Sequence, residues 1–301
     1  MSGRVVVNAD DLGVSRGATL GILAAHQKGI VTSASLAVTT PFYQHAVDSC
    51  VRTCPALGIG LHFTLTAGKP VSDATRVPLL VYGTGFFRWR FTSLFRAMAG
   101  GKFPALADQI EIELDAQLAR LVTDGIPPDH IDGERHVHLI PGIFEQVVAA
   151  AQRHGVKFVR AGADVGRRFL RLEHMPGVVL RGGLVKSLLL SKLARRARTH
   201  LGRSVLTADY AASYLYTGRM DLIVGSVLSA PPESGVTEIM VHPGIPEESR
   251  GIELGNRALE RYLVSRDRRR ELDACLAARS EQTALRLTNF TQLASAAGTA
   301  T

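Results

Sequence analysis

The sequence predicts an α/β protein built on a mostly parallel sheet with helices outside it. Short apolar, β-branched runs of strand length alternate with stretches of helical spacing along most of the chain. Four of those runs end in polar, chemistry-bearing residues. No Gly-rich phosphate loop follows a strand, neither GxGxxG nor GxxxxGK[ST], which argues against a nucleotide-binding member of the class. At 301 residues the chain is long enough for one α/β barrel or for two smaller domains.

The first run, Val5-Val6-Val7, reads as a buried strand that enters Asn8-Ala9-Asp10-Asp11-Leu12-Gly13. Gly17 to Lys28 has helical spacing and stops at Gly29. Thr32 to Val38 is a second strand, and Pro41 opens a helix running to about Cys54. Gly58 to Leu65 is a third strand, with His62 in an otherwise apolar run. Ala105 to Thr123 is a long amphipathic helix closed by Gly125 and Pro127. His130 to Asp132 is a short strand, Pro141 to His154 a helix and Val156 to Val159 a strand. Val236 to Val241 leads into His242-Pro243-Gly244, and Leu285 to Phe290 reads as a last short strand. The charge-rich stretch from Arg257 to Arg279 reads as one solvated outer helix without a function.

Composition narrows the class. Hydrophobic residues make up 46% and charged residues 21%, an ordinary globular balance. Three cysteines are too few and too odd a set for a disulfide framework, and they fit a reducing compartment. Cys50 and Cys54, four residues apart, read as two small semi-buried side chains. The first strand begins within a few residues of Met1, so cleavage of a leader there would destroy the acidic pair. No uncharged run reaches the roughly 18–20 residues that span a bilayer. A cytoplasmic protein is expected, with peripheral contact on the inner face of the membrane left open. The net charge of +8 attracts anionic partners.

The chemistry gathers at strand ends. Two adjacent carboxylates, Asp10 and Asp11, repel each other unless a cation lies between them or one stays protonated. His62, the stretch His130-Ile131-Asp132-Gly133-Glu134-Arg135-His136-Val137-His138, and His242 complete the set. Carboxyl ends of parallel strands share one face, where active sites collect. Each residue has an ordinary structural alternative. His62 fits a core histidine bonded to a carbonyl, and Asp10 fits a helix cap. His136 and His138 point the same way if extended, as a ligand pair or a surface pair. His242 before proline fits a turn. Four such signals at equivalent positions argue for one site, and Asp, His and Glu together suit Zn²⁺, Mn²⁺, Mg²⁺ or similar ions.

Five stretches, Asn8–Gly13, Gly29–Ser33, Gly60–Pro70, His130–His138 and Met240–Pro243, resemble the YdjC-like carbohydrate deacetylases, the group that includes chito-oligosaccharide deacetylase. The likeness is dense to about residue 160, thin from 165 to 230 and clear again at His242. It implies a distorted (β/α) TIM-like barrel forming a single domain over 1–301, and metal-assisted hydrolysis of the acetamide of an N-acetylglucosamine-type sugar. Carried over by position, Asp11 and His62 bind one divalent ion (Zn, Mg, Mn, Co or Ni). Asp10 is the general base, and His242 protonates the leaving amine or orients the site. The family usually has His where this chain has Glu134, so the implied metal set here is Asp11, His62 and Glu134. The added carboxylate favours harder ions. His136, His138 and Asp132 remain as substrate contacts or alternative ligands, and a weakened metal site is the other outcome.

Two segments, near 84–104 and 183–202, combine basic and large apolar residues at helical spacing. They read either as helices packed on the barrel or as elements of a membrane interface. Together they resemble the hopanoid-associated branch of the family, whose substrate is a lipid-linked glycoside; soluble chito-oligosaccharides or an N-acetylated natural-product sugar are the other options. The competing function is a non-catalytic carbohydrate- or glycolipid-binding protein with a degenerate metal site. Nucleic acid is not expected, because no recognisable binding motif accompanies the basic clusters. Oligomeric state is not legible.

Overall fold

A computed structural model describes residues 3–100, 103–180, 182–202, 204–278 and 287–298. Nine strands are described: β1 (Arg4–Leu12), β2 (Ser33–Leu36), β3 (Gly58–Phe63), β4 (His130–Gly133), β5 (Phe158–Val159), β6 (Ala163–Asp164), β7 (Tyr210–Ala211), β8 (Val236–Val241) and β9 (Leu287–Thr288). All their pairings are parallel, in the order β5-β4-β3-β2-β1-β8-β7-β6, with β9 beside the start of β1. Read as a circle, this is the sequential order of an eight-stranded barrel opened between β5 and β6. One bridge, Phe158 to Leu206, spans from β5 toward β7 near that seam. The expected distorted barrel is therefore the observed fold.

Helices cover the outside of the curled sheet. Arg16–Gln27 follows β1; its N-cap Ser15 accepts from the Ala18 N–H, satisfying one of the orphan donors of a first turn. Gly21 lets this helix lie against the loop after β8, since a Cβ there would stand 2.4 Å from the Gly244 Cα. β1 is buried from Val5 onward, as a strand covered on both faces must be. Gly60 in β3 leaves room for the His130 ring, which a Cβ would meet at 2.4 Å.

The sequence readings hold for β1, β2, β3, β4, β5 and β8 to within a few residues. The last strand is shorter than expected, and residues 285 and 286 lie outside the described residues. Two-residue strands β6 and β7 carry too little periodicity to be read from sequence. The outer-helix reading of Arg257 to Arg279 is corrected. The chain forms two helices, Arg257–Leu263 and Arg266–Ala277, and the second turns Arg268 and Glu271 fully inward; residue 279 lies outside the described residues.

The two basic amphipathic segments differ. In the first, Phe87, Leu94 and Met98 are buried in the main core, so its apolar face is already used; residues 101 and 102 lie outside the described residues. In the second, Gly183–Arg198, Leu190, Leu193, Ala194 and Ala197 pack inward while Val185, Leu188 and Leu189 stay exposed. No helix among the described residues is long and apolar enough to cross a membrane.

Candidate active site at the carboxyl ends of the strands

β1, β3, β4 and β8 bring Asp10, Asp11, His62, Glu134 and His242 to one cavity of about 270 Å³. In a regular strand, consecutive side chains point to opposite faces. Here the register of β1 against β2 shifts between Ala9 and Leu12, and Asp11 adopts φ 72°. This bulge re-aims the chain so that both acids reach the cavity. A left-handed non-glycine residue costs of order 1–3 kcal/mol. The other two described ones, Arg135 (φ 49°) and His136 (φ 61°), also line the cavity.

The two adjacent acids separate onto two arginines. Asp10 accepts from both terminal nitrogens of Arg160 at 2.7 and 2.8 Å, and from the Asn8 amide at 2.9 Å. Asp11 accepts from Arg268 Nη1. Burial alone would raise both carboxyls, but the facing guanidinium outweighs it and holds each well below the ordinary carboxylate range. Arg160, just past β5, also contacts Asp132 at 2.5 Å and Glu238 at 2.7 Å. Three buried carboxylates thus share one fully buried cation, and Glu238, with one oxygen unpartnered, is pushed up by burial.

His62 is clamped on both sides. Its Nδ1 lies 2.7 Å from Asp132 Oδ1, and its Nε2 is 3.4 Å from Asp11 Oδ1. Burial opposes the imidazolium, but Asp132 and then Asp11 outweigh it, so the metal-free ring titrates well above the usual histidine range. Asp132 also accepts from Ser35 Oγ at 2.6 Å. Glu134 accepts from Thr66 Oγ1 and, at 2.9 Å, from Arg135 Nε; burial raises its carboxyl.

Asp10, His62 and Asp132 can each offer a ligand atom within 4.8 Å of the others, so a buried Asp-His-Asp group is able to hold a metal ion. The other side of the imidazole faces Asp11. Asp10 and Asp132 already face the Arg160 guanidinium, and Asp132 does not line the cavity. With Nδ1–H given to Asp132, loss of the second ring proton would leave the His62 Nε2 lone pair directed toward Asp11 and the cavity, which is the arrangement carboxylates impose on metal-binding histidines. Asp11 Oδ1 faces His62 Nε2 at 3.4 Å and Glu134 lines the same cavity, but of the expected trio only Asp11 and His62 are brought within contact distance.

His136 and His138 do not form the extended pair considered from sequence, because residues 134–139 turn into a short 3-10 segment with a left-handed kink. His136 faces the cavity, its Nδ1 buried without a partner, and burial followed by the Lys186 charge drives its pKa well down. His138 points away and donates from Nε2 to the Arg160 carbonyl at 3.0 Å; burial lowers its pKa to about 4. His242 gives its backbone N–H to Glu271 Oε2 at 2.5 Å, and its ring stands edge-on to Tyr262. Lys186 reaches the cavity from the helix Gly183–Arg198; burial, then Arg135, lowers its pKa to about 8. A smaller cavity of about 100 Å³ shares Lys186 and Thr217 with the first.

Sequence reasoning missed Arg160, Arg268, Glu271 and Lys186. Arg160 had a usable signal, a cation at the carboxyl end of a short strand. The other three lie in basic or charge-rich runs that read equally well as solvated surface.

A family model described as YdjC-like protein matches residues 4–285. The chain belongs to the YdjC-like family. It is 42% identical over 153 residues to a carbohydrate deacetylase of Brevibacillus brevis, covering 51% of this chain and 57% of the relative. It is 43% identical over 149 residues to one of Geobacillus stearothermophilus, covering 50% and 56%. A chitooligosaccharide deacetylase of Serratia marcescens is 40% identical over 171 residues, covering 56% and 64%. The chain thus spans somewhat more than half the length of these relatives. A solved structure from Enterococcus faecalis V583, of a protein named for cellobiose-phosphate cleavage, superposes with TM-score 0.67 at 24% identity over 97% of this chain and 99% of that one. That likeness shows the YdjC-type fold. Glu134 sits against Thr66 and Arg135, so both of its carboxylate oxygens have partners.

Proposed function

We propose that this YdjC-like chain is a metal-dependent N-deacetylase that hydrolyses the acetamide of an N-acetylglucosamine-type sugar. The observation that carries the reading is the Asp132–His62–Asp11 line, with Asp10 beside it in the same cavity. The names of the relatives support the reaction class.

In this reading Asp11, His62 and Glu134 hold one divalent ion of the Zn, Mg, Mn, Co or Ni group. A bound ion would polarise the amide carbonyl and acidify water. Asp10 takes the proton from the attacking water. Arg160 keeps it ionised, at the cost of making it a weak base, which is adequate only toward acidified water. The water oxygen bonds to the acetyl carbon, the C–N bond breaks, and His242, steadied by Glu271, supplies the proton to the departing amine; acetate and a free amino sugar result. Asp132 and Arg160 fix geometry. His136, with its unpartnered Nδ1, is the substitute ligand if Glu134 does not serve.

A lipid-linked, hopanoid-type glycoside is the finer substrate reading. Its support is the exposed apolar chain near the smaller cavity, where Val178 and Gly183 form part of the lining. It goes with a cytoplasmic enzyme in contact with the inner membrane face.

The test is acetate release by metal-stripped protein supplied with Mg²⁺, Mn²⁺, Zn²⁺, Co²⁺ or Ni²⁺, on soluble and lipid-linked N-acetylglucosaminides. Metal-dependent release is expected. Folded protein that binds the sugar yet releases nothing with any ion would sink the reading in favour of a carbohydrate-binding protein.

A further inference from the structure

We infer that the exposed face built by Leu172, Leu180 and the outer stripe of the helix Gly183–Arg198 docks onto an anionic lipid bilayer. Leu172 is 90% exposed, Leu180 87%, Val185 73% and Leu188 57%, and Val179 and Leu189 add to the patch. A monomeric protein in water rarely leaves so many large apolar side chains uncovered in one segment.

The helix has two faces with different fates. Ser187, Leu190, Leu193, Ala194 and Ala197 are buried, and Ser187 anchors it by donating to Asp164 at 2.6 Å. The opposite stripe runs Val185, Leu188, Leu189, Lys192, Arg195, Arg196. It is apolar at the amino end and cationic at the carboxyl end, all exposed. Apolar side chains that enter the acyl boundary beside cations that meet headgroups are the chemistry of an interfacial helix.

Charge selects the occupant. Residues 165–200 hold nine Lys and Arg against a single Glu, an excess equal to the +8 of the entire chain. The remainder of the sequence is electrically balanced. A protein partner would need a dense acidic surface with an apolar centre, and a second copy of this chain would bring the same positive charge and repel. Anionic lipid supplies both features, since each Lys or Arg near the surface is drawn to the headgroup charge.

The test is flotation of the full chain with phosphatidylcholine vesicles containing or lacking phosphatidylglycerol. Co-flotation is expected only with phosphatidylglycerol and should weaken as salt rises. L180S/V185S/L188S and K192E/R195E should each cut bound protein about tenfold or more, with melting temperatures unchanged because the substituted side chains are exposed. Absence of flotation, or flotation indifferent to both variants, overturns the inference. So does salt-resistant self-association in sedimentation that the serine variant abolishes. Lipid binding is read without turnover, so an inactive protein that floats would refute the deacetylase reading and leave the docking face standing.

Discussion

Arg268 donates to Asp11 from a helix 257 positions further along the chain. The same helix, one turn on, gives Glu271 to the backbone N–H of His242 and of Met220. One helix therefore steadies both ends of the candidate site. With Oδ2 engaged by Arg268, Asp11 has a single oxygen, Oδ1, to offer the cavity.

Replacing Arg268 by Met should leave a buried, unpaired carboxylate and lower stability by about 3–5 kcal/mol. Added Mn²⁺ should restore melting temperature more in R268M than in the wild type, because the ion would take over the charge. Thermal melts with and without metal check this; equal shifts would place the ion elsewhere.

Arg160→Lys keeps a positive charge but loses the paired contact with Asp10. Turnover should fall roughly 10²-fold while sugar affinity, read by calorimetry, stays. A loss confined to KM would mean that Arg160 serves substrate binding instead.

Asp10→Asn separates enzyme from binding protein. Acetate release should drop by about 10²–10⁴ with sugar affinity retained.

His62 sets a pH dependence. Its pKa is raised in the metal-free fold, so the stability it contributes is complete below its unfolded value near 6.5 and fades as pH rises through the higher folded value. Metal binding requires the neutral ring and must release its proton. Urea melts of stripped protein should therefore show stability declining above neutral pH, and H62N should flatten that slope. Calorimetry in buffers of different ionisation heats should count the released proton.

Glu134→His should shift affinity from Mn²⁺ toward Zn²⁺ by about an order of magnitude, measured by competition between the two ions. Unchanged preference would remove Glu134 from the ligand set and move His136 forward.

The parts of this molecule legible in sequence are those with strong local signals. Val5–Val7 and Val236–Val241 announce strands, and the rule that parallel strands share a carboxyl face was enough to gather Asp10, Asp11, His62 and His242. The acid pair was read as needing a cation between its members or a proton on one. The fold uses neither, giving each acid its own guanidinium, and both come from segments whose burial depends on tertiary packing. Arg268 sits among Arg266, Arg269 and Arg270, and only the helix orientation singles it out. The left-handed turn at Arg135 and His136 likewise has no glycine to advertise it, so an extended pair was the natural but incorrect reading.

The opening between β5 and β6 divides the molecule's inheritance. Asp10, Asp11, His62, Asp132 and Glu134 all stand on β1, β3 and β4 or directly after them, within the continuous arc from β1 to β5 on one side of the seam. The stretch from 165 to 206 lies between β6 and β7 and carries seven of the eleven exposed large hydrophobic side chains among the described residues. A lineage could exchange that stretch, and with it where the protein goes and what it is offered, while the carboxylates and His62 on the other arc passed down unaltered.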